Sequence, residues 1–308
     1  MGLRKEIVLL ALACLLSGCG KTGNGEKGGN SQQPPEAPGS FAVNTEEAWQ
    51  EIEPGSIYTG EISVCMPEAS GAVVIEEGGV TVDASHTDDG YIMVKCEGAQ
   101  ARLKVQVILE EETYSYDLNK EGEYEVFPLQ MGNGLYEIKV FENVEGTTYS
   151  QLFFTQIPVD MPDTDRVFVF PSQYVWYTNE KKAVRLSYDL CAELTGDEEK
   201  MERIYDYLVN LLSYDTEKAE TVEKGYIPDL EEILAAKKGI CFDYSALYAA
   251  MLRAQNIPVR LVIGNVQPEN IYHAWNQVYI DGKWIWKDPT FGPDSGYTET
   301  DYTQEREY

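Results

Sequence analysis

Two histidines, His86 and His273, serve all 308 residues of this chain. A zinc site built on histidines is therefore nearly excluded, and any cysteine–histidine chemistry must use one of these two. Basic residues are scarce as well. There are 24 Lys and Arg against 52 Asp and Glu, for a formal net charge of -28. Nothing in such a chain would neutralise a phosphate backbone, which argues against nucleic acid as a partner. The same holds for an anionic lipid surface acting directly on the folded part. The carboxylate excess reads as solubility and self-repulsion. No D-x-D-x-D-G loop is present to turn it into a calcium site, and no cofactor is expected. Long apolar runs are missing too: the run from Ile7 to Leu16 has ten residues, about half of what a spanning helix needs. Phenylalanine is sparse beside tyrosine, 9 against 21, which suits β-rich, water-facing surfaces.

The short apolar run has another reading. Arg4 and Lys5 precede it, and Leu16-Ser17-Gly18-Cys19 closes it. Together these form a charged n-region, an h-region and a small-residue cleavage site, so residues 1–18 read as a signal peptide. Leu-Ser-Gly-Cys resembles a bacterial lipobox. That resemblance implies that Cys19 becomes a lipidated N-terminus, holding the protein to the extracytoplasmic face of a bacterial membrane without a spanning helix. Residues 19–55 then form the anchor and a flexible linker. The start of the linker, GKTGNGEKGGNSQQPPEAPGS, is almost free of apolar residues. About 20 such residues reach on the order of 25 Å root-mean-square.

Six cysteines are present. Cys14 leaves with the signal and Cys19 takes lipid, so Cys65, Cys96, Cys191 and Cys241 remain. An exported protein permits disulfides, and Cys65 with Cys96, both in β-type sequence, is the plausible bridge. Cys191 sits among helical apolar positions and reads as an inert core thiol. His86, in the polar run DASHTDDG, reads as a solvated loop residue.

Residues 56–160 read as short alternating strands broken by turn residues: GYIMVKC, RLKVQVIL, TYSYDL, EYEVFPL, LYEIKVFENV and TTYSQLFFTQI. Strands about ten residues apart without helices predict an antiparallel, Ig-like β-sandwich. Met161-Pro162-Asp163 marks a boundary. The period then changes, giving residues 161–308 an α+β character. Helices are expected over 183–195 and 198–213. The second carries Met201, Ile204, Tyr205, Leu208, Leu211 and Leu212 on one core stripe. TEKAETVEKGYIPD reads as a loop. Asp229 caps the short helix LEEILAAKK, with Glu232 placed to complete a capping box and Gly239 ending the helix. A packable helix follows over 241–255, closed by Asn256 and Pro258, and then come the strands VRLVIG, YHAWNQVYI and KWIWKD.

Cys241 opens that helix, where it is either a small buried hydrophobe or a nucleophile. Asp281-Gly282 between two alternating runs predicts a two-residue hairpin. Counting outward, Tyr279 pairs with Trp284, and His273 and Asp288 become diagonal neighbours on one face, about 7 Å apart at Cα. Pro289 should stop the second strand there. Each residue taken alone has a structural explanation: a Trp-rich hairpin is usually core, and Asp before Pro is usually a turn starter. Taken together they suit covalent catalysis. A helix N-terminus favours thiolate, His273 would pair with it, and Asp288 would hold the ring in the needed tautomer.

The stretch KKGICFDYSALYAAMLRAQNIPVRLVIG, followed by YHAWNQVYI and WIWKDPTF, strongly resembles the bacterial transglutaminase-like superfamily. Its hallmarks are a G-x-C-x-x-[YFH]-[AS] helix start, an H-A-W strand and a D-P-T strand end. The resemblance covers about Val184 to Phe291 and implies a cysteine-protease-like α+β fold. It makes Cys241 the nucleophile, His273 the general base and Asp288 the orienting acid. It also implies an oxyanion donor beside the Cys241 N–H, with Tyr226 as the candidate and Tyr214 as the runner-up. The expected activity is attack on an amide bond of a peptide or protein at the cell envelope, through a thioester. Hydrolysis (peptidase or deamidase) is preferred. Transamidation with cross-linking, or a silent envelope-binding or scaffold module, are the alternatives. A metal-dependent hydrolase is disfavoured by the two separated histidines. The acidic stretch after Phe291 leaves little material for a wall or lid.

Overall fold

The structure is a computed structural model. It describes residues 49–308 and, ahead of them, a two-residue strand β1 (Ile7–Val8) lying along Tyr149 and Ser150. The expected signal peptide, Cys19 and residues 19–48 of the linker lie outside the described residues, apart from Ile7–Val8. Among the described residues no helix is long and apolar enough to cross a membrane.

The N-terminal half is antiparallel β. Alternating apolar residues with Gly-rich turns give β2 (Val74–Glu77), β3 (Val80–Asp83), β4 (Tyr91–Cys96) and β7 (Glu125–Pro128). These form one four-stranded sheet ordered β2-β3-β4-β7. The second sheet contains β5 (Leu103–Leu109), β6 (Glu112–Leu118) and the long hairpin β8 (Gly134–Glu145) and β9 (Thr148–Val159), ordered β1-β9-β8-β5-β6. Val82, Ile92, Val94 and Phe127 from the first sheet share one core with Val105, Tyr116, Ile138 and Phe153 from the second. That is the expected sandwich; its hairpin β2–β3 was not among the expected strands.

The C-terminal half has helices α1 (Lys182–Cys191), α2 (Asp197–Leu211), α3 (Thr216–Thr221), α4 (Leu230–Ala236) and α5 (Cys241–Arg253). They pack on a sheet of β12 (Val259–Val266), β13 (Ile271–Ile280), β14 (Lys283–Lys287) and β15 (Tyr302–Glu307), ordered β14-β13-β12-β15. Helix α2 starts on Asp197, Glu198 and Glu199, which suit the positive end of its dipole. It buries Met201, Ile204, Tyr205 and Leu208. Helix α5 is buried from Phe242 through Arg253, as expected for a helix that is apolar on nearly all sides.

Two local expectations change. The stretch after Asp215 is helical, because the Asp215 side chain accepts from Lys218 N at 2.9 Å and caps α3. Helix α4 ends at Lys237, in the left-handed region with φ 51°, and not at Gly239. Asp229 does cap α4, accepting from Glu231 N and Glu232 N. Gly239 is instead needed for close approach: a Cβ there would meet Asp243 Cβ at 2.7 Å.

The segment ahead of the sandwich straps the helical half. Asp189, 3% exposed, accepts four backbone N–H bonds from Gly55, Ser56, Ile57 and Tyr58 at 2.5–3.2 Å. Ile52 bonds Tyr207, and Lys237 pairs with Glu51 at 2.6 Å. Cys65 lies on this strap, where its thiol donates to Asn256 Oδ1 at 3.3 Å. Cys96 is buried in the sandwich core. The two cysteines serve different packing surfaces, both are free thiols, and the expected bridge is not made.

The C-terminal stretch is also part of the fold. Residues Tyr302–Glu307 pair with β12 as β15, at a place where Gly264 lets the Thr303 carbonyl come close. Tyr308 plugs into the junction of the halves, packing on Tyr114 and Tyr174 at 5.4 and 4.7 Å. Arg253, 1% exposed, ties the same corner by donating to the carbonyl oxygens of Phe170, Val259 and Tyr308.

Candidate active site

Cys241 is the first residue of α5, preceded by the strand pair β10 (Ser213–Tyr214) and β11 (Lys238–Gly239). The free N–H groups and the positive dipole end of α5 point at this first turn. The turn is fixed by Asp243, whose side chain is fully buried. Its Oδ2 accepts from Ile240 N at 2.9 Å and from Lys218 Nζ at 2.7 Å, and its Oδ1 accepts from Tyr226 OH at 2.6 Å. Cys241 itself is half-buried at the edge of the core.

The β13–β14 hairpin has the expected register, with Tyr279 opposite Trp284 and Ile280 opposite Lys283. Strand β14 stops at Lys287, as Pro289 requires. Beyond it Asp288 turns back onto His273. His273 Nε2 lies 2.8 Å from Asp288 Oδ2, with both side chains almost wholly buried. The carboxylate is saturated: Oδ2 also accepts from Tyr302 OH at 2.6 Å, and Oδ1 accepts from Thr290 N and Phe291 N at 2.9 and 3.1 Å. Tyr205 OH donates to the Asp288 carbonyl at 3.0 Å. The His273 ring lies flat on Phe291, centroids 4.2 Å apart and planes within 8°. Phe291 in turn stacks on Tyr297 at 4.9 Å.

Because Asp288 engages Nε2, Nδ1 is left for sulfur, and Cys241 lies within electrostatic reach of the ring. Cys241, His273 and Asp288 are thus brought into one neighbourhood. Burial alone would lower the His273 pKa. The Asp288 carboxylate outweighs it, by charge and by hydrogen bond, and Cys241 adds to the effect, so the imidazolium is held up to about 10. Burial alone would also raise the Asp288 pKa. The His273 charge, the His273 and Tyr302 bonds and the Phe291 N–H hold its carboxyl below the usual range. Cys191, by contrast, is pushed up to about 12 by burial, partly offset by Lys200 and Arg203, and is inert.

Of the two tyrosines expected at an oxyanion site, Tyr226 is committed to Asp243 and Lys218. Tyr214 is aligned with Gly239 and lies within electrostatic reach of Cys241. His86 is less solvated than expected. It stacks on Tyr91 at 5.3 Å and faces Glu68 and Asp89. Among the described residues His86, Asp88 and Asp89 are the group whose ligand atoms converge, within 4.8 Å, but Asp89 is already held by Arg166 at 2.6 Å. Tyr302, Phe291 and Lys218 were not singled out in the sequence, and Tyr205 was read only as part of a core stripe. Within YTQEREY only the two tyrosines are aromatic, so the stretch carries no alternation to reveal a strand bearing Tyr302. The stretch expected to leave little for a wall supplies both Tyr302 and Tyr297.

Residues 184–289 match the Transglutaminase-like superfamily. The chain is 29% identical over 122 residues to a kyphoscoliosis peptidase of Mus musculus, covering 36% of this chain and 18% of that protein. It is 26% identical over 152 residues to the Homo sapiens protein of that name, covering 46% and 22%. The chain therefore spans about a fifth of the length of these relatives. A structure from Cytophaga hutchinsonii, solved as a candidate cysteine protease, aligns over 71% of this chain and 79% of its own at 18% identity, with a TM-score of 0.40. Behind its antiparallel β-sheets, over residues 184–289, this chain carries a transglutaminase-like domain.

Proposed function

We propose that the protein is a cysteine hydrolase acting on amide bonds of peptides or proteins, with Cys241 as nucleophile, His273 as acid and base, and Asp288 as orienting group. The observation that carries this reading is one imidazole bonded through Nε2 to a buried carboxylate, with its other nitrogen left for a thiol at a helix start. Cys241 Sγ attacks the carbonyl carbon as thiolate. Charge on the carbonyl oxygen is met by the Cys241 N–H and the Tyr214 hydroxyl. His273 Nδ1 gives its proton to the departing amine as the C–N bond breaks, leaving a thioester. Water then attacks the thioester while His273 takes its proton, and the acid and free thiolate–imidazolium pair are released. Asp288 keeps the proton on Nε2 throughout. The mammalian relatives being named peptidases supports hydrolysis over transfer to an amine.

The test is incubation of the purified chain with a peptide library, with and without a primary amine, read by mass spectrometry. Cleaved or deamidated products that persist with amine present are expected, and Cys241→Ala should abolish them. Amine adducts as the main product would replace hydrolysis by transamidation. No product in any arm, together with equal iodoacetamide labelling of Cys191 and Cys241, would leave a scaffold. Anchoring at Cys19 on the extracytoplasmic face is part of the same proposal. It predicts incorporation of a clickable fatty acid in a bacterial host, lost in Cys19→Ala.

A further inference from the structure

A groove of about 540 Å³ lies between the two halves of the molecule, within the size range of clefts that hold small ligands or short peptide segments. The sandwich contributes Asn119 and residues 123–126. The other half contributes Gln173, Trp176, Lys181 and residues 227–231. Two large apolar side chains stand open in it, Trp176 at 44% and Ile227 at 39% exposure. Among the described residues, four carboxylates line it, from Glu123, Glu125, Asp229 and Glu231, against the single cation Lys181. Lys95 covers the Tyr124 ring at 5.3 Å, but it is paired with Glu97. Burial pushes the Glu125 carboxyl above its usual range. The Asn119 bonds offset this in part, and Asp117 and Glu121 push it further. A cation entering the groove would supply counter-charge that Glu125 lacks.

Residues next to the groove in sequence reach the first turn of α5. Tyr226, at the head of the 227–231 wall, donates to Asp243. Tyr174, between groove residues Gln173 and Trp176, packs on Phe242 at 5.6 Å. Phe242 and Asp243 follow Cys241 directly.

We infer that this groove binds the flank of a substrate polypeptide, taking a lysine or arginine beside a bulky apolar side chain, with the sandwich as one wall. The cationic head sits among Glu123, Glu125 and the Trp176 ring, where ion pairing and cation–π attraction act together. The apolar neighbour covers Ile227. The inference takes its substrate from the reading above, yet binding is measurable without turnover.

Two short fluorescein-labelled peptides, alike except for Lys-Phe-Lys in one and Glu-Phe-Glu in the other, are titrated onto full-length Cys241→Ala and followed by anisotropy. The lysine peptide should saturate and the glutamate peptide should not. Glu123→Lys and Trp176→Ala should each weaken binding about tenfold, equivalent to about 1.4 kcal/mol. Glu145→Lys makes the same charge change at the exposed β8–β9 turn and should leave binding within about twofold. Unchanged melting temperatures certify the folds. The inference is overturned if Glu145→Lys weakens binding as much as Glu123→Lys, if the groove variants bind like the parent, or if both peptides bind alike. Groove binding in a chain that never turns over would remove the enzyme and keep the groove. Turnover indifferent to Glu123 and Trp176 would do the opposite.

Discussion

Lys218→Met probes the foundation of the nucleophile's turn. Lys218 Nζ lies 2.7 Å from Asp243 Oδ2, with the aspartate side chain fully buried and the lysine side chain 27% exposed. Breaking a buried ion pair from one side costs about 3–5 kcal/mol, since it strands the other charge. Partial exposure lets water replace part of the ammonium, and Asp243 keeps the Ile240 N–H and the Tyr226 hydroxyl. The expected loss is therefore about 2–3 kcal/mol, or roughly 5–10 °C in melting temperature for a unit of this size. The turn that aims Cys241 should loosen with it, so iodoacetamide alkylation of Cys241 slows about tenfold. Lys218→Arg should restore much of both. Lys218→Met/Asp243→Asn should also recover most of the stability, because asparagine still accepts from Ile240 N and leaves no stranded charge. Calorimetry and timed alkylation check each arm. An unshifted melting temperature in Lys218→Met, or a double variant as unstable as the sum of the singles, refutes the reasoning.

Tyr302→Phe deletes one charge-assisted bond to a buried carboxylate, worth about 1.5–3 kcal/mol; kcat on a cleaved peptide should fall at least about tenfold with KM little changed, and an unchanged kcat would show that the tyrosine is only packing. Asp288→Asn should cut kcat about a thousandfold or more by favouring the wrong tautomer, checked by steady-state kinetics beside a circular-dichroism spectrum like the parent's. His273 is raised from its ordinary 6.5 to about 10. Its contribution to stability is therefore complete below about pH 6.5 and lost as pH climbs through 10, while that of the lowered Asp288 is present above 3.8 and lost as pH falls below it. An imidazole NMR titration, assigned with His86→Gln, should give a His273 midpoint far above 6.5, and an unshifted midpoint would contradict it.

What sequence reasoning reached was local in period or fixed by a turn. Asp281-Gly282 set the β13–β14 register, and register alone put His273 and Asp288 on one face. The apolar run after Gly239 announced a buried helix, with Cys241 at its start. The misses share a different physics. Asp189 binds the strap 131–134 residues away, so the strap read as linker up to residue 55 and as sandwich beyond it. Cys65 and Cys96 both sit in extended sequence, and only the packing surface of each chain segment separates them. Lys218 lay in a stretch too short and polar to announce a helix, since α3 has no buried residue.

Tyr302 is the sharpest case, because its two roles depend on each other. As a residue of β15 it must pair with β12, and that pairing needs the close approach that Gly264 allows. Once seated, its ring packs on Trp275 and Trp286, both at 5.0 Å, and only then does its hydroxyl reach Asp288 Oδ2. The acidic character of the stretch suggested a solvated tail, and for the exposed Thr303, Gln304 and Glu305 that reading is right. Tyr302, just ahead of those three, is instead half-buried. An acidic strand can therefore stay soluble along those residues while its tyrosine completes the site. It follows that Gly264→Val, at the β12 position that pairs with His273 on one side and Gln304 on the other, should displace β15 and lower kcat. Combined with Tyr302→Phe it should lower kcat little further, because the hydroxyl is already gone. Full additivity of the two losses, measured as log kcat, would mean that Gly264 acts on the site by a path other than Asp288, through the His273 it pairs with.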